Sequence, residues 1–368
     1  MKIAFVHDWF TINGGAEKVA RSILETLDID DIYCLFDFFK EEDRNVILKG
    51  RKTHTSFLQR FPQCRKHYRN YLPLFPKAIE SFNLSEYDLI ISSSSAVAKS
   101  VKTNKKQIHI CYCHSPMRYI WDLKDQYISD INPFLKRKIV QRVFKSLPAW
   151  DKRTSKNVTH FIANSNFIAQ RLKKTYERDS SVLHPPINTT FFIPSTVKKE
   201  NFFIVVSRLV GYKKIDLITH TFAKLPNQNL IVIGDGPELK NLPKLPNVSY
   251  LGYLNNDEMR NYLQKSRAMI VAAIEDFGIA ALEAQSCGTP VLALKKGGYL
   301  ETVVENETGL FFKTQQVNNI VDVIKRFEKI EHTFSKKKIR NHALQFDEEI
   351  FKNKFIIEVN RIINENGK

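Results

Sequence analysis

The 368-residue sequence has few cysteines and lacks any long apolar run. No stretch approaches the roughly 18 apolar residues of a membrane-spanning helix. The apolar run at residues 3–6 is too short for a signal peptide and predicts a first strand instead. The cysteines are odd in number and scattered through a chain that can bury a core without disulfides, which favours a reducing compartment; they are Cys34, Cys64, Cys111, Cys113 and Cys287. These absences predict a soluble or peripheral protein.

Positive charge is plentiful and unevenly distributed. There are 56 Lys and Arg residues against 39 Asp and Glu, a formal net charge of +17. Residues 1–190 hold 31 basic and 19 acidic residues, which leaves +12 of that excess in the first half. Such a balance predicts an anionic partner, which can be nucleic acid, a nucleotide or a phospholipid surface.

Short β-branched or aromatic runs alternate with helical periodicity along the chain, as in a parallel α/β sheet. The pattern breaks at Pro185-Pro186 and restarts with the strand-like run 202–207. The sequence therefore predicts two doubly wound domains, residues 1–190 and 191–346. An amphipathic pattern over about 347–366 predicts a closing helix that packs back on the first domain.

A glycine pair follows the first predicted strand. Gly14 and Gly15 stand directly before the helical pattern of residues 16–27. Glycines at a helix N-terminus let an anion approach the backbone amides. The full G-x-G-x-x-G fingerprint is missing, so the pair is equally compatible with a simple turn.

Two cations follow the first strand of the second domain. Arg208 and Lys213 stand at its carboxyl end, where open α/β sheets bind ligands. Arg208 offers a planar fork for two phosphate oxygens and Lys213 a compact charge. We expect the two cations to neutralise a bound diphosphate, as a divalent metal would otherwise do. The alternative is that both are solvated surface residues, which is the usual state of Arg and Lys side chains.

A third loop combines carboxylates with a helix start. Glu275 precedes a predicted helix and Glu283 lies inside it. Carboxylates accept several hydrogen bonds from hydroxyl-rich ligands. The amides of Phe277, Gly278 and Ile279 open the helix and can face a sugar or phosphate, since Gly278 has no side chain to obstruct that approach.

The segment Glu275 to Glu283 resembles the E-x7-E signature of retaining glycosyltransferase family 4. The resemblance extends to Gly234-Asp235-Gly236-Pro237, Leu251-Gly252, Gly297-Gly298 and Glu301, in the family's order, and it spans nearly the whole chain. It implies the α/β fold called GT-B, in which two Rossmann-like doubly wound domains face a cleft.

The resemblance also implies roles for the residues at the matching positions. Glu283 would hold the ribose hydroxyls, Glu275 would contact the transferred sugar, and Gly14-Gly15 corresponds to the family's N-terminal glycine loop. Arg208 and Lys213 would neutralise the leaving diphosphate, so that neither a metal nor another cofactor is required. His114 resembles the family histidine that lies near the reacting sugar.

Two short motifs resemble metal sites, but each has a better structural explanation. Asp28-x-Asp30 is better explained as the end of the first helix than as a manganese site. Cys111-x-Cys113-His114 provides fewer than four well-spaced zinc ligands and is explained by alternating strand residues.

Within the family, the sequence is most similar to bacterial mannosyltransferases of O-antigen and capsule synthesis. The similarity lies in residues 114–122, 275–278 and 283–288. It implies GDP-mannose as donor, with UDP- and dTDP-sugars as alternatives. The sequence is also compatible with other functions on the same fold. These are a sugar-nucleotide epimerase, a phosphorylase, and a non-enzymatic descendant that binds nucleic acid or glycan.

Two stretches of the first half mix cations with apolar residues. Residues 60–77 interleave Arg and Lys with aromatics, and residues 134–145 carry Lys136, Arg137, Lys138, Arg142 and Lys145. Such stretches bind anionic membranes, although a solvated helix face explains them equally well. No nucleic-acid-binding motif accompanies them. We expect a lipid-linked glycan acceptor, peripheral contact with an anionic membrane and a cytoplasmic location at its inner face, with no nucleic-acid partner.

Overall fold

The computed structural model describes the backbone of residues 1–122 and 134–366 and the side chains of residues 1–122 and 144–366. Residues 1–184 together with 351–368 make up one compact unit, called unit 1 here, and residues 185–350 make up unit 2.

Unit 1 is built on a parallel sheet of seven strands in the order β3-β2-β1-β4-β5-β6-β7. The strands are β1 Ile3–His7, β2 Asp31–Cys34, β3 His54–Thr55, β4 Leu89–Ser94, β5 Ile108–Cys113, β6 His160–Ala163 and β7 Ser180–Val182. Every residue of β1 and β4 is buried, as expected for strands covered on both faces.

The helices of unit 1 connect these strands. They are α1 Gly15–Thr26, α2 Glu41–Leu48, α3 Cys64–His67, α4 Phe75–Ile79, α5 Phe134–Thr154 and α6 Asn166–Tyr176, with 3₁₀ turns at Phe57–Arg60, Tyr68–Leu74, Ala98–Ser100 and Ser155–Asn157. In α1, Val19 and Ile23 pack on the core that contains Phe5 and Ile91. The spacing of these apolar residues explains why this segment is an amphipathic helix.

Unit 2 repeats the architecture with six parallel strands in the order β10-β9-β8-β11-β12-β13. The strands are β8 Phe203–Val206, β9 Leu230–Ile233, β10 Val248–Gly252, β11 Met269–Val271, β12 Val291–Leu294 and β13 Gly309–Phe312. The helices are α7 Ile215–Phe222, α8 Asn256–Lys265, α9 Ile279–Ser286, α10 Tyr299–Thr302, α11 Val317–Ile330 and α12 Lys336–Ala343, with 3₁₀ turns at Gly211–Lys213, Pro237–Asn241, Glu331–Thr333 and Leu344–Phe346.

The last helix, α13 (Glu348–Asn366), begins at the end of unit 2 and belongs to unit 1 from Phe351 onward. Its buried residues Phe351, Phe355 and Val359 join the core formed by the strands of unit 1. The ammonium of Lys352 lies 2.9 Å from the carboxylate of Glu25 in α1.

Both sheets reverse their strand order once. In unit 1 the reversal lies between β1 and β4, and in unit 2 it lies between β8 and β11. The loops that follow such a pair of strands diverge and leave a crevice where ligands of open α/β sheets bind. The predicted pair of doubly wound domains is confirmed.

Candidate functional site

The loop after β8 carries both predicted cations of unit 2. Its backbone is fixed because Leu209 N–H donates to the carbonyl of Asp235 at 2.9 Å and Lys213 N–H donates to that of Val210 at 2.9 Å. Arg208 is exposed, whereas Lys213 is partly buried at the end of a 3₁₀ turn. The two side chains therefore present positive charge at the carboxyl edge of the sheet.

The loop after β9 is held against the loop after β8. A Cβ atom on Gly234 would lie 1.8 Å from the carbonyl oxygen of Ser207, and one on Gly236 would lie 2.2 Å from that of Leu209. Only glycine permits this approach, which explains the Gly-Asp-Gly pattern at 234–236.

The loop after β11 brings Glu275 to the same edge and leads into α9. Gly298 N–H donates to the carbonyl of Glu275 at 2.9 Å. A Cβ atom on Gly298 would lie 2.2 Å from Cα of Phe277, so the Gly297-Gly298 turn packs directly on this loop. Gly278 is the N-cap of α9, with φ +102°, and it packs against the ring of Tyr299.

An ion pair joins the loops after β8 and β11. The Nζ atom of Lys213 contacts Oε1 of Glu275. The side chains are 21% and 17% exposed, respectively, and the Lys213 ammonium also lies 5.4 Å from the ring centroid of Tyr212. The structure thus brings together two predicted residues that are 62 positions apart in the sequence.

Two other predicted residues of unit 2, Glu283 and Phe277, have buried side chains. Glu283 is only 6% exposed inside α9, although an isolated helical glutamate is ordinarily a surface residue. The side chain of Phe277 is buried, with its ring centroid 5.7 Å from that of Phe346. The buried Phe277 side chain therefore anchors this loop within unit 2. Ile279 is the first residue of α9.

In unit 1, the glycine loop is held by Glu17, a residue that was not predicted to belong to the site. Gly14 is the N-cap of α1 and donates its N–H to Oε2 of Glu17 at 3.2 Å. The other carboxylate oxygen lies 3.9 Å from Nε2 of the buried His7. A glutamate at the third helical position is a sequence signal for this arrangement. Gly15 is the first residue of the helix.

His114 lies directly after β5 in the same unit. Its Nε2 atom is 2.8 Å from Oγ of Ser93, and its carbonyl accepts a hydrogen bond from Nδ2 of Asn164 at 3.0 Å. Burial lowers the pKa of His114 to about 3, and the charge of His7 acts in the same direction. The imidazole is therefore neutral at physiological pH, and it can exchange a hydrogen bond but carries no charge.

The buried carboxylate of Asp8 holds the loop that follows β4, the strand that contains Ser93. It accepts hydrogen bonds from the N–H groups of residues 95–98 at 2.6 to 2.9 Å and from the hydroxyl of Ser95 at 3.0 Å. The run of serines at 92–95 was the sequence signal for this polar turn beside His114.

Neither metal interpretation corresponds to a cluster in the described ranges, where no three His, Cys, Asp or Glu side chains gather as metal ligands. Asp30 follows α1 and accepts a hydrogen bond from Ile3 N–H at 2.7 Å. Cys111 and Cys113 are both buried in β5.

The cationic surface of unit 1, defined here as Arg60, Arg65, Lys66, Arg69 and Lys77, is exposed. Aromatic rings lie beneath it: Tyr68 is 5.5 Å from Trp9 and 5.6 Å from Phe36, measured between ring centroids. Of the second basic stretch, Lys145 is exposed, and the side chains of Lys136, Arg137, Lys138 and Arg142 lie outside the described residues. Among the described residues, no helix has the length and apolar character required to cross a membrane.

Residues 13–191 match the family described as Glycosyltransferase Family 4, and residues 187–345 match Glycosyl transferases group 1. The chain belongs to the glycosyltransferases of family 4 and group 1. The two matches run through both units of this glycosyltransferase. The loops that carry Arg208, Lys213 and Glu275 and the helix that contains Glu283 lie within the group 1 match.

Individual relatives are distant. An uncharacterised 41.2 kDa protein of the cps region of Klebsiella pneumoniae is 22% identical over an alignment that covers 87% of this chain and 88% of the relative. The alpha-1,3/1,6-mannosyltransferase ALG2 of Candida glabrata is 26% identical over an alignment that covers 83% of this chain and 78% of the relative. Several other curated relatives match over less than two thirds of their own length.

A solved structure with the same fold is that of Alr3699/HepE from Anabaena in complex with UDP and glucose. Its TM-score to this glycosyltransferase is 0.71 at 17% identity, over 98% of this chain and 100% of the other. At that identity the similarity establishes the GT-B fold.

Proposed function

We propose that this glycosyltransferase moves a hexose, mannose from GDP-mannose, to a lipid-linked glycan in the synthesis of a bacterial surface polysaccharide, with retention of the anomeric configuration and without a metal. The observation that carries the proposal is the cluster of charged residues at the carboxyl edge of the unit 2 sheet. Lys213 and Glu275 are in contact there, and Arg208 lies on the same loop as Lys213.

In the proposed donor site, Arg208 and Lys213 bind the diphosphate and Glu275 binds hydroxyls of the hexose. Glu283 holds the ribose hydroxyls, and the backbone of Phe277, Gly278 and Ile279 lines the site at the start of α9. Negative charge grows on the departing diphosphate during transfer, so fixed cations stabilise the transition state more than the ground state. That is the role a divalent metal would otherwise have.

The proposed reaction needs no protein nucleophile. The acceptor hydroxyl attacks the anomeric carbon on the face from which the diphosphate departs. The bond from that carbon to the acceptor oxygen forms, the bond to the phosphate oxygen breaks, and a diphosphate oxygen takes the acceptor proton. His114 contributes a hydrogen bond beside the reacting sugar as a neutral imidazole, and Gly14 and Gly15 leave room for a ligand at the start of α1.

Mannose and a bacterial polysaccharide are supported by the resemblance of residues 114–122, 275–278 and 283–288 to O-antigen and capsule mannosyltransferases. The Klebsiella relative comes from a cps region, and the yeast relative is named a mannosyltransferase. UDP-sugars are the second candidate donors, because the Anabaena structure holds UDP and glucose on the same fold.

The cationic surface supports peripheral contact with an anionic membrane. Exposed Arg and Lys side chains over aromatic rings suit the interface of such a membrane, because the charges meet lipid phosphates while the rings stay among apolar groups. We propose that this contact places the enzyme at the cytoplasmic face, where a lipid-linked acceptor is presented.

The proposal is tested by a transfer assay. The enzyme is incubated with GDP-mannose or UDP-glucose, EDTA and a lipid-diphosphate-linked acceptor, and the anomeric configuration of the product is read by NMR. Transfer with an α-linked product from GDP-mannose supports the proposal. An inverted product, or transfer only with an added divalent metal, contradicts the mechanism, and transfer only from UDP-glucose contradicts the donor.

A further inference from the structure

The Lys213–Glu275 ion pair occupies the positions that a bound donor would contact. The side chains contact each other and are each only about one-fifth exposed. Charges in such a partly buried place attract more strongly than at an open surface, because less water screens them. Breaking the pair therefore has a cost that a ligand must offset.

The backbone on both sides of the pair is fixed. Lys213 N–H donates to the Val210 carbonyl, and the Glu275 carbonyl accepts from Gly298 N–H, both at 2.9 Å. A Cβ atom on Gly297 would lie 2.5 Å from the same Glu275 carbonyl oxygen. Because the loops are packed in this way, a ligand separates the pair by turning the two side chains.

From this arrangement we infer that the Lys213–Glu275 pair makes the site select an intact nucleotide sugar over the nucleoside diphosphate that is left after transfer. The inference rests on the proposed donor site. A diphosphate draws the Lys213 ammonium away from Glu275. With an intact donor, the hydroxyls of the sugar donate hydrogen bonds to the carboxylate that has lost its cation.

A nucleoside diphosphate has no sugar at this position. If Lys213 turns to its phosphates, the Glu275 carboxylate is left in a partly buried place without that compensation, and an unsatisfied charged group is costly. The neighbouring phenol of Tyr299 stays neutral, since burial and then the Glu275 charge raise its pKa, and it therefore places no positive charge beside the carboxylate. The spent nucleotide thus binds less tightly and leaves the site after transfer.

The inference is tested by calorimetric titration with GDP and UDP and with their hexose derivatives. The proteins are the wild type, Glu275→Gln and Asp235→Asn. Asp235 is an exposed carboxylate on the neighbouring loop after β9, and its Oδ1 accepts from Gly236 N–H at 2.7 Å, a bond that asparagine keeps. Asp235→Asn therefore controls for the general effect of removing a negative charge from the carboxyl edge of the unit 2 sheet.

Glu275→Gln is expected to bind the nucleoside diphosphate about tenfold more tightly than the wild type, because no ion pair has to be broken. Its affinity for the intact donor is expected to stay equal or fall. Asp235→Asn is expected to change the nucleoside diphosphate affinity less than about twofold, as for a solvent-screened charge.

Unchanged nucleoside diphosphate affinity in Glu275→Gln, or an equal gain in Asp235→Asn, overturns the inference. If Glu275→Gln does not fold, Glu275→Ala serves in its place, with the same expected gain. Failure of the wild type to bind any nucleotide overturns the proposed donor site as well. Nucleotide binding and transfer by the wild type without the gain in the variant overturns only the inference.

Discussion

The Nε2 atom of His114 lies 2.8 Å from the Oγ atom of Ser93. This hydrogen bond connects the residue after β5 with the polar end of β4, and it fixes the orientation of an imidazole whose pKa is lowered to about 3. His114 therefore belongs to a rigid, neutral arrangement in unit 1.

Replacement of His114 by alanine is expected to lower kcat about a hundredfold, as for the loss of one oriented hydrogen-bond group beside the reacting atoms. Nucleotide affinity is expected to stay unchanged, because Lys213 and Glu275 lie in unit 2. Ser93→Ala keeps the imidazole but removes its partner, and we expect a smaller, roughly fivefold fall. Steady-state kinetics together with nucleotide titration check this, and equal losses of kcat in the two variants contradict it.

Acid is expected to destabilise unit 1 through His109. Burial lowers the pKa of this fully buried histidine to about 3, whereas an unfolded histidine titrates near 6.5. The stabilisation is complete above about pH 6.5 and is lost as the pH falls toward 3, since the unfolded state then binds the extra proton. At pH 5 the loss is on the order of 2 kcal/mol.

The measurement is thermal unfolding at pH 8 and pH 5. The wild type should unfold at a lower temperature at pH 5. His109→Gln is less stable at pH 8, because the hydrogen bond of His109 Nε2 with Ser92 Oγ is disturbed, yet its change between the two pH values should be smaller. An equal change in both proteins contradicts the assignment to His109.

Gly278→Ala is expected to destabilise unit 2 and to weaken donor binding. A Cβ atom there would lie 2.6 Å from the ring of Tyr299 at a φ of +102°. Such a backbone conformation costs roughly 1–3 kcal/mol in a residue with a side chain, even before the clash.

Gly252→Ala is the matched control. Its φ is also positive, at +70°, but no atom lies within 4 Å of the added Cβ. The midpoint of thermal unfolding should fall by several degrees in Gly278→Ala and by clearly less in Gly252→Ala. Equal shifts in the two variants would show that the contact with Tyr299 is unimportant.

Charge reversal of Arg65 and Lys66 is expected to weaken binding to vesicles of phosphatidylglycerol and phosphatidylcholine. Each cation near an anionic surface contributes about 1 kcal/mol, so reversal of two should lower the bound fraction by at least about tenfold at low salt. Reversal of Lys105 and Lys106, which are exposed before β5, is the control with equal net charge. Flotation assays check this, and equal losses would indicate a general effect of net charge.

Much of the fold was predictable from the sequence, because alternation of buried strands with amphipathic helices depends on local patterns. The strand after residue 202 and the helix after Gly278 were both expected, and the structure contains β8 and α9 there. The 3₁₀ turn Tyr68–Leu74 and the short helix α4 were not predicted, since Tyr68 and Phe75 are held by rings distant in sequence, such as Phe36 and Trp9.

The residues of the candidate site were more predictable than their contacts. Glycine patterns and the spacing of charges identified the loops after β8 and β11. The contact of Lys213 with Glu275 depends on strand order, which places β11 beside β8. The contact of Glu17 with Gly14 is local, and the sequence contains its signal at the third position of α1.

The most direct test of the donor site is thermal stability in the presence of GDP-, UDP-, dTDP- and ADP-sugars without metal. The proteins are the wild type, Lys213→Ala and, as control, Lys240→Ala, which removes an exposed lysine of the same unit. A ligand at 100 times its dissociation constant stabilises the native state by about 2.7 kcal/mol. Stabilisation by GDP-mannose is expected in the wild type, and it should be lost in Lys213→Ala and kept in Lys240→Ala. No response of the wild type to any sugar nucleotide at millimolar concentration, or an undiminished response in Lys213→Ala, would contradict the proposed donor site.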